Sequence, residues 1–221
     1  MQKVFKGLRW LAPAALALMA QGAAADVAVT LGDQDFTDGS TPTIGDFLTA
    51  GSGEPAPFSG VFSGGDAASN FSASWTFSYA PLSTIVGASL KLGIVDHESA
   101  ATGNQVASFK LNGVDLTSAL NTLFESHGGA SREYNIYDLV LPNSVFAALM
   151  TGTATFALDL QGPGLGLFGE STFNGAALDF STLSITTQTT TTNGTVPEPA
   201  TGALAAMAAV GLVALRRRAR R

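Results

Sequence analysis

The sequence predicts an all-β domain, an antiparallel β-sandwich of jelly-roll type with one or two short helices, between an N-terminal signal peptide and a C-terminal transmembrane helix. At least six short segments place apolar residues at every second position, turn-forming residues separate them, and helical spacing occurs only in brief connections. The predicted division is a signal peptide at 1–25, the sandwich at 26–185, a threonine-rich linker at 186–195 and a sorting segment at 196–221.

The signal peptide is recognised by three ordered parts. Basic residues lie within the first nine positions, an apolar core follows, and Ala23 and Ala25 form a small-residue cleavage site immediately before Asp26. We therefore expect export, with removal of the leader by signal peptidase.

The body between the two ends is strongly acidic and contains no cysteine. It holds 16 of the 17 Asp and Glu residues but only three of the 11 Lys and Arg residues. Such a charge repels nucleic acid and anionic lipid, so no nucleic-acid partner is expected. The lack of cysteine excludes disulfides, thiol nucleophiles and zinc–thiolate sites.

The first half of the body contains five predicted strands. Residues 27–31 alternate, and residues 71–79 alternate most clearly, with aromatic side chains on one face and hydroxyls on the other. Residues 88–95 form the next strand. Residues 109–116 form a hairpin around Asn112-Gly113, a dipeptide typical of type I′ turns.

The second half alternates between strands and short helices. Apolar residues at helical spacing predict an amphipathic helix over 116–124. Strands are predicted at 134–141, 153–160 and 178–186, and a helical turn or two at 145–150 follows a proline that ends the strand before it.

Four aromatic residues are candidates for carbohydrate binding, because sugar rings stack on Trp and Tyr side chains. They are Trp75, Tyr79, Tyr134 and Tyr137. The alternative for the strand 71–79 is a core stripe, which its five consecutive inward positions favour.

Acidic loop residues are candidates for a structural calcium ion, which binds carboxylate and carbonyl oxygens. Asp96 and Glu98 follow a strand, and Asp179 joins them if the last strand ends nearby. Residues 33–39 carry three aspartates, but their spacing is not that of an EF-hand. At each place the alternative is a set of carboxylates in water, and no other cofactor is expected.

We expect no enzyme activity, because no catalytic motif is found. His97 and His127 lie in predicted loops without a G-x-S-x-G sequence, so exposed histidines without a catalytic role are expected. Residues 164–169 match G-x-G-x-x-G, but no helix is predicted after them to hold a dinucleotide. The paired carboxylates of a glycoside hydrolase stay open, because their separation is spatial.

The C-terminal segment combines three features in a fixed order. Val196, Pro197, Glu198 and Pro199 are followed by 16 uncharged residues and then by a basic cluster. As a helix those 16 residues span about 24 Å at ~1.5 Å per residue, and snorkelling arginines can make up the difference from a hydrocarbon core of about 30 Å. Basic flanks stay in the cytoplasm, which places the body outside. The basic cluster consists of Arg216, Arg217, Arg218, Arg220 and Arg221.

This layout resembles the PEP-CTERM sorting signal of Gram-negative bacteria. The resemblance rests on Pro197-Glu198-Pro199, the apolar stretch 202–215 with its small residues, and the terminal arginines. It implies export across the inner membrane and a transient membrane anchor. It also implies an exosortase that cleaves near the Pro-Glu-Pro and passes the protein to the cell surface or extracellular matrix.

The chain carries a signal peptide and a sorting signal but no catalytic motif. We therefore predict a structural or adhesive protein of the cell surface or the exopolysaccharide matrix. A carbohydrate-binding, lectin-like module is the alternative, and an exported hydrolase is a further one. The expected partners are signal peptidase and exosortase during export, the membrane before processing, and exopolysaccharide.

Overall fold

The computed structural model describes residues 26–65, 69–95, 97, 101, 103–127, 130, 132–162 and 173–188. The strands are β1 (Val27–Gly32), β2 (Ser72–Ser78), β3 (Ile85–Val95), β4 (Val106–Leu111), β5 (Val114–Asp115), β6 (Tyr134–Val140), β7 (Thr153–Leu160) and β8 (Ala177–Thr187). The helices are α1 (Ile44–Ala50), α2 (Thr117–His127) and α3 (Phe146–Leu149), the last preceded by a 3₁₀ turn at Asn143–Val145.

The strands form two four-stranded antiparallel sheets with jelly-roll connectivity. Sheet 1 has the order β1-β8-β3-β6 and sheet 2 the order β2-β7-β4-β5. The pairs are nested, since β1 pairs with β8, β2 with β7, β3 with β6 and β4 with β5, as in one long hairpin wrapped into a sandwich. This confirms the predicted fold class.

The core lies between the two sheets and is built from the inward positions that alternation predicts. Phe156 of β7 is fully buried and its ring contacts the rings of Trp75, Phe77 and Phe109 on the neighbouring strands. Trp75 is 4% exposed. The core-stripe interpretation of residues 71–79 is therefore the one that the structure supports.

The local turn and helix signals also correspond to structure. Asn112 and Gly113 both have positive φ values, of 48° and 83°, as a type I′ turn between β4 and β5 requires. The α2 helix buries Leu120 and Phe124 against the sandwich, and the Asp115 carboxylate accepts a hydrogen bond from the Thr117 amide in its first turn.

The α1 helix was not expected from the sequence, which is rich in turn formers up to Gly65. It begins with a capping box, in which Thr43 and Asp46 each accept a hydrogen bond from the backbone amide of the other. Phe47 then packs on the outer face of sheet 1 in a second apolar cluster with Tyr134 and Phe180. This helix is held by its N-terminal capping box and by one buried apolar side chain, that of Phe47. Its seven residues are too few for apolar positions to show a clear helical period.

The predicted ends of the chain lie largely outside this structure. The signal peptide, the sorting segment and most of the linker fall outside the described residues. β8 continues to Thr187, beyond the predicted sandwich boundary at 185. In the part of the chain that the structure describes, no helix is long and apolar enough to cross a membrane.

Candidate functional site

Both ends of the folded domain emerge at the same end of the sandwich. Val27 pairs with Ile185, and the Asp26 carboxylate accepts a hydrogen bond from the Thr187 amide at 3.1 Å. We call this end, marked by Asp26 and Thr187, the tether pole. The opposite end, where Gly32 of β1 and the start of β6 lie, is the distal pole.

A cluster of four carboxylates lies at the distal pole, and we call Asp33, Asp35, Glu54 and Asp179 the carboxylate cluster. The Asp179 carboxylate accepts a hydrogen bond from the Tyr134 hydroxyl at 2.5 Å and another from the Asp35 amide at 3.2 Å. Glu54 accepts one from the Asp33 amide at 3.1 Å. These contacts fasten the segment after β1 to β8 and to the loop after α1.

Three carboxyl groups of the cluster, those of Asp35, Glu54 and Asp179, hold their protons more tightly than ordinary carboxyl groups do. Burial, followed by the nearby Asp33, raises the pKa of Glu54 to about 7. Burial, with a smaller effect of Asp35, raises the pKa of Asp179 to about 6, against the lowering effect of its two donors. Burial and Asp33 also raise the pKa of Asp35. Because no cation balances Glu54 and Asp179 in the contacts of the described residues, the pKa of each stays above the usual range of a carboxyl group.

Of the three predicted calcium ligands, Asp179 lies in the described part of the chain. Asp96 and Glu98 lie outside the described residues, so a set of three carboxylates with Asp179 stays a prediction. Among the described residues, no group of three or more His, Asp or Glu side chains is arranged to hold a metal ion. Asp179 itself is 3% exposed and bonded to Tyr134 and Asp35.

His97 is fully buried, which corrects the expectation of an exposed loop histidine. Its ring nitrogens lie 3.3 Å from the Gln105 side-chain oxygen, 3.1 Å from that of Asn135 and 2.8 Å from the Tyr137 hydroxyl, and its ring contacts Phe124. Burial lowers the pKa of His97 to about 4, so the ring is neutral at pH 7. Because the unfolded ring titrates near 6.5, this histidine weakens the fold as the pH falls from there to about 4.

His127 lies at the end of α2 and is partly exposed. Its Nε2 atom lies 3.4 Å from the Asp38 carboxylate. Within the described residues neither histidine contacts a serine hydroxyl, so neither forms the nucleophile–base pair of a Ser-His-Asp site.

The structure contradicts the prediction of sugar stacking for three of the four candidate aromatic residues, because their side chains are buried. Trp75, Tyr134 and Tyr137 are at most 4% exposed, since all three fill the interior of the sandwich or the cluster under α1. Tyr79 is half-buried, and its hydroxyl donates a hydrogen bond to the Leu149 carbonyl at 2.7 Å. A sugar ring cannot stack on an enclosed side chain, so these residues form no exposed aromatic platform.

A polar groove of about 350 Å³ runs over the outer face of sheet 1, and we call it the sheet-face groove. Sequence reasoning missed it, because its side chains come from strands far apart in the chain. Gln34 and the buried Phe180 also line it. Its polar walls carry Thr30, Ser89, Lys91, Asp138, Thr182 and Ser184.

Two other concavities differ in chemistry from the sheet-face groove. One, of about 490 Å³, lies beside α1 and includes Phe47, Phe62 and the exposed Ile44. The other, of about 710 Å³, lies along α2 and includes Asp115 and Glu125. The first is mainly apolar and the second is acidic.

The residues expected to direct processing lie outside the described part of the chain, except for Asp26. They comprise Ala23 and Ala25 of the leader and, in the tail, Val196, Pro197, Glu198, Pro199, Arg216, Arg217, Arg218, Arg220 and Arg221. Asp26 is exposed at the tether pole, where the chain enters β1.

Comparison with known proteins finds likenesses both to solved structures and to a family model. The chain is similar to the ANX1 ectodomain of Arabidopsis thaliana with 12% identity and a TM-score of 0.28, over 72% of this chain and 39% of that one. It thus spans well under half of that structure's length, and a TM-score this low does not establish a common fold. No curated protein matches the sequence. Residues 195–218, however, match the model of the PEP-CTERM protein-sorting motif, so the predicted resemblance is confirmed: the chain carries the sorting motif of exported proteins that an exosortase directs to the cell surface.

Proposed function

We propose that this protein is a non-enzymatic structural or adhesive component of the cell surface or the exopolysaccharide matrix. The observation that carries the proposal is the sorting motif at 195–218, which indicates export and delivery by an exosortase. The arrangement of the chain ends is consistent with it. A domain held by its tether pole keeps its distal pole, the outer face of sheet 2 and the part of sheet 1 not covered by α1 free for contacts.

The non-enzymatic part of the proposal is supported by the state of the titratable groups. His97 is neutral and enclosed, and His127 is paired with Asp38 at the surface. Within the carboxylate cluster, Asp179 accepts hydrogen bonds from the Tyr134 hydroxyl and the Asp35 amide, and Glu54 accepts one from the Asp33 amide. We therefore assign His97 and Asp179 a structural role, in which their contacts hold neighbouring elements together.

Cell fractionation tests the proposal. The wild-type chain should be recovered outside the inner membrane without its C-terminal tail, in the surface or matrix fraction. A variant with Pro197, Glu198 and Pro199 replaced by alanine should accumulate as an uncleaved precursor in the inner-membrane fraction. An intact wild-type C-terminus retained in the inner membrane, or a chain in the cytosol with both ends uncut, would contradict the proposal.

A carbohydrate-binding module is the second candidate. Three of the four aromatic residues that first suggested it are buried, but the sheet-face groove gives it a different basis, with hydroxyl groups, one lysine and one aspartate in place of stacking rings.

A further inference from the structure

The sheet-face groove is organised as a row that crosses all four strands of sheet 1. Thr30 pairs with Thr182, Thr182 with Lys91, and Lys91 with Asp138. Because neighbouring strands lie about 4.8 Å apart, the row spans roughly 14 Å. Ser89 and Ser184 form a second cross-strand pair beside this row, two residues away along β3 and β8.

The groups in this row are available for new hydrogen bonds. Lys91 and Asp138 are exposed and face each other across β3 and β6, yet no ion pair joins them among the described residues. A gap between an ammonium donor and a carboxylate acceptor can be bridged by a hydroxyl group, which both accepts and donates. The Thr30 and Thr182 hydroxyls lie 2.8 Å apart and continue the same chemistry along the row.

The charge of the groove selects the class of ligand. One lysine and one aspartate leave the row with no net charge, in a body that carries 16 acidic and three basic residues. An anionic polymer is repelled by that body, and a single carboxylate beside a lysine attracts no cation. A neutral polyol, with many hydroxyls that donate and accept, matches the row. A volume of about 350 Å³ is small for a ligand pocket, which suits a short stretch of saccharide.

We propose that the sheet-face groove binds a neutral oligosaccharide segment across β1, β8, β3 and β6, with Lys91 and Asp138 as its central hydrogen-bonding pair. The inference rests on the proposed matrix function and names the surface through which the protein contacts polysaccharide. The hydroxyl pair Thr30 and Thr182 extends the contact toward β1. The ligand lies along the row, perpendicular to the strands, because that is the direction in which donors and acceptors repeat.

Binding of defined saccharides to the purified full chain tests this inference. The panel contains neutral glucose, galactose and mannose oligosaccharides, acidic polygalacturonate oligomers and basic chitosan oligomers, followed by titration calorimetry. At least one neutral series should bind saturably, while the charged series bind more weakly. The variants K91A and D138A should each weaken that binding at least tenfold with an unchanged thermal midpoint.

A matched pair of threonines provides the control. Thr76 and Thr155 form the same hydroxyl contact, at 2.9 Å, on the outer face of sheet 2. T30A/T182A should weaken binding and T76A/T155A should leave it unchanged. Absence of binding by every neutral series, binding only of a charged series, or unchanged binding in both K91A and D138A overturns the inference. Such a result leaves the proposed function intact if fractionation still places the chain in the surface or matrix fraction.

Discussion

At the scale of single residues, Asp179 and His97 are buried without an opposite charge beside them among the described residues. Asp179 is almost fully enclosed, yet its partners are a tyrosine hydroxyl and a backbone amide. Burial of a carboxylate disfavours the ionised form, and neutral donors compensate only in part. The folded state therefore takes up protons at a pH where the unfolded chain has already lost them.

Replacement of Asp179 by asparagine should stabilise the domain above pH 6. The folded pKa of about 6 lies above the ordinary value of 3.8, so the contribution of Asp179 to stability is fully present below about pH 4 and is lost as the pH rises through 6. D179N should raise the free energy of unfolding by roughly 1–3 kcal/mol at pH 8 and by little at pH 4.

Urea unfolding of both chains between pH 4 and pH 8 measures this difference. Comparison at each pH cancels the opposite effect of His97, which is shared by the two chains. D138N, at an exposed position of the same sheet, serves as the control for the removal of one negative charge. An equal effect of D179N at pH 4 and pH 8 would refute the assignment.

At the scale of elements, the fit of the α1 segment against sheet 1 depends on one small residue. A methyl group built on Gly93 of β3 would lie 2.3 Å from the Tyr134 hydroxyl and 2.6 Å from the Phe180 ring. These two side chains belong to the apolar cluster under α1 and connect it to the carboxylate cluster. A side chain at position 93 therefore displaces both the Tyr134 and the Phe180 side chains from their positions over β3.

The variant G93A should destabilise the domain by about 1–3 kcal/mol, because overpacking forces buried neighbours out of position. Gly87 in the same strand is the matched control, since the nearest atom to its added methyl group is 3.9 Å away. G87A should leave the thermal midpoint unchanged or raise it slightly. Thermal unfolding followed by circular dichroism measures the midpoint of each variant. A midpoint of G93A no lower than that of G87A would contradict the overpacking argument.

At the scale of the whole molecule, the nested strand pairs decide which surfaces meet the environment. The first and last strands of a jelly roll are neighbours and antiparallel, so both chain ends leave from one pole. If the transient membrane anchor that the sequence predicts follows β8, it holds that pole nearest the bilayer. The carboxylate cluster and the concavity beside α1 lie at the distal pole, and the sheet-face groove lies on the outer face of sheet 1.

Single-cysteine labelling of the anchored precursor should detect this orientation. The native chain has no cysteine, so S83C at the tether pole and T37C at the distal pole each give one site. With the full chain in lipid vesicles, energy transfer to a lipid-borne acceptor should be greater from position 83. Solubilisation in detergent should abolish the difference. Equal or reversed transfer would show that the domain does not stand on its tether pole.

The sequence by itself determined the features that depend on neighbouring residues. Alternation identified the strand 71–79 and its inward Trp75, the dipeptide Asn112-Gly113 identified a hairpin, and the order of Pro-Glu-Pro, apolar stretch and arginines identified the sorting motif. Backbone period, turn geometry and a linear recognition signal are all local, so a single chain read in order contains them.

Only the tertiary structure decided which distant residues meet. It enclosed His97, Tyr134 and Tyr137, brought Glu54 close to Asp33, and set Lys91 opposite Asp138 in one row. Pairing between strands depends on register and on the wrapping of the whole hairpin, and no local pattern encodes either. The sorting motif therefore follows from sequence, whereas the candidate saccharide groove exists only because four separate strands lie side by side.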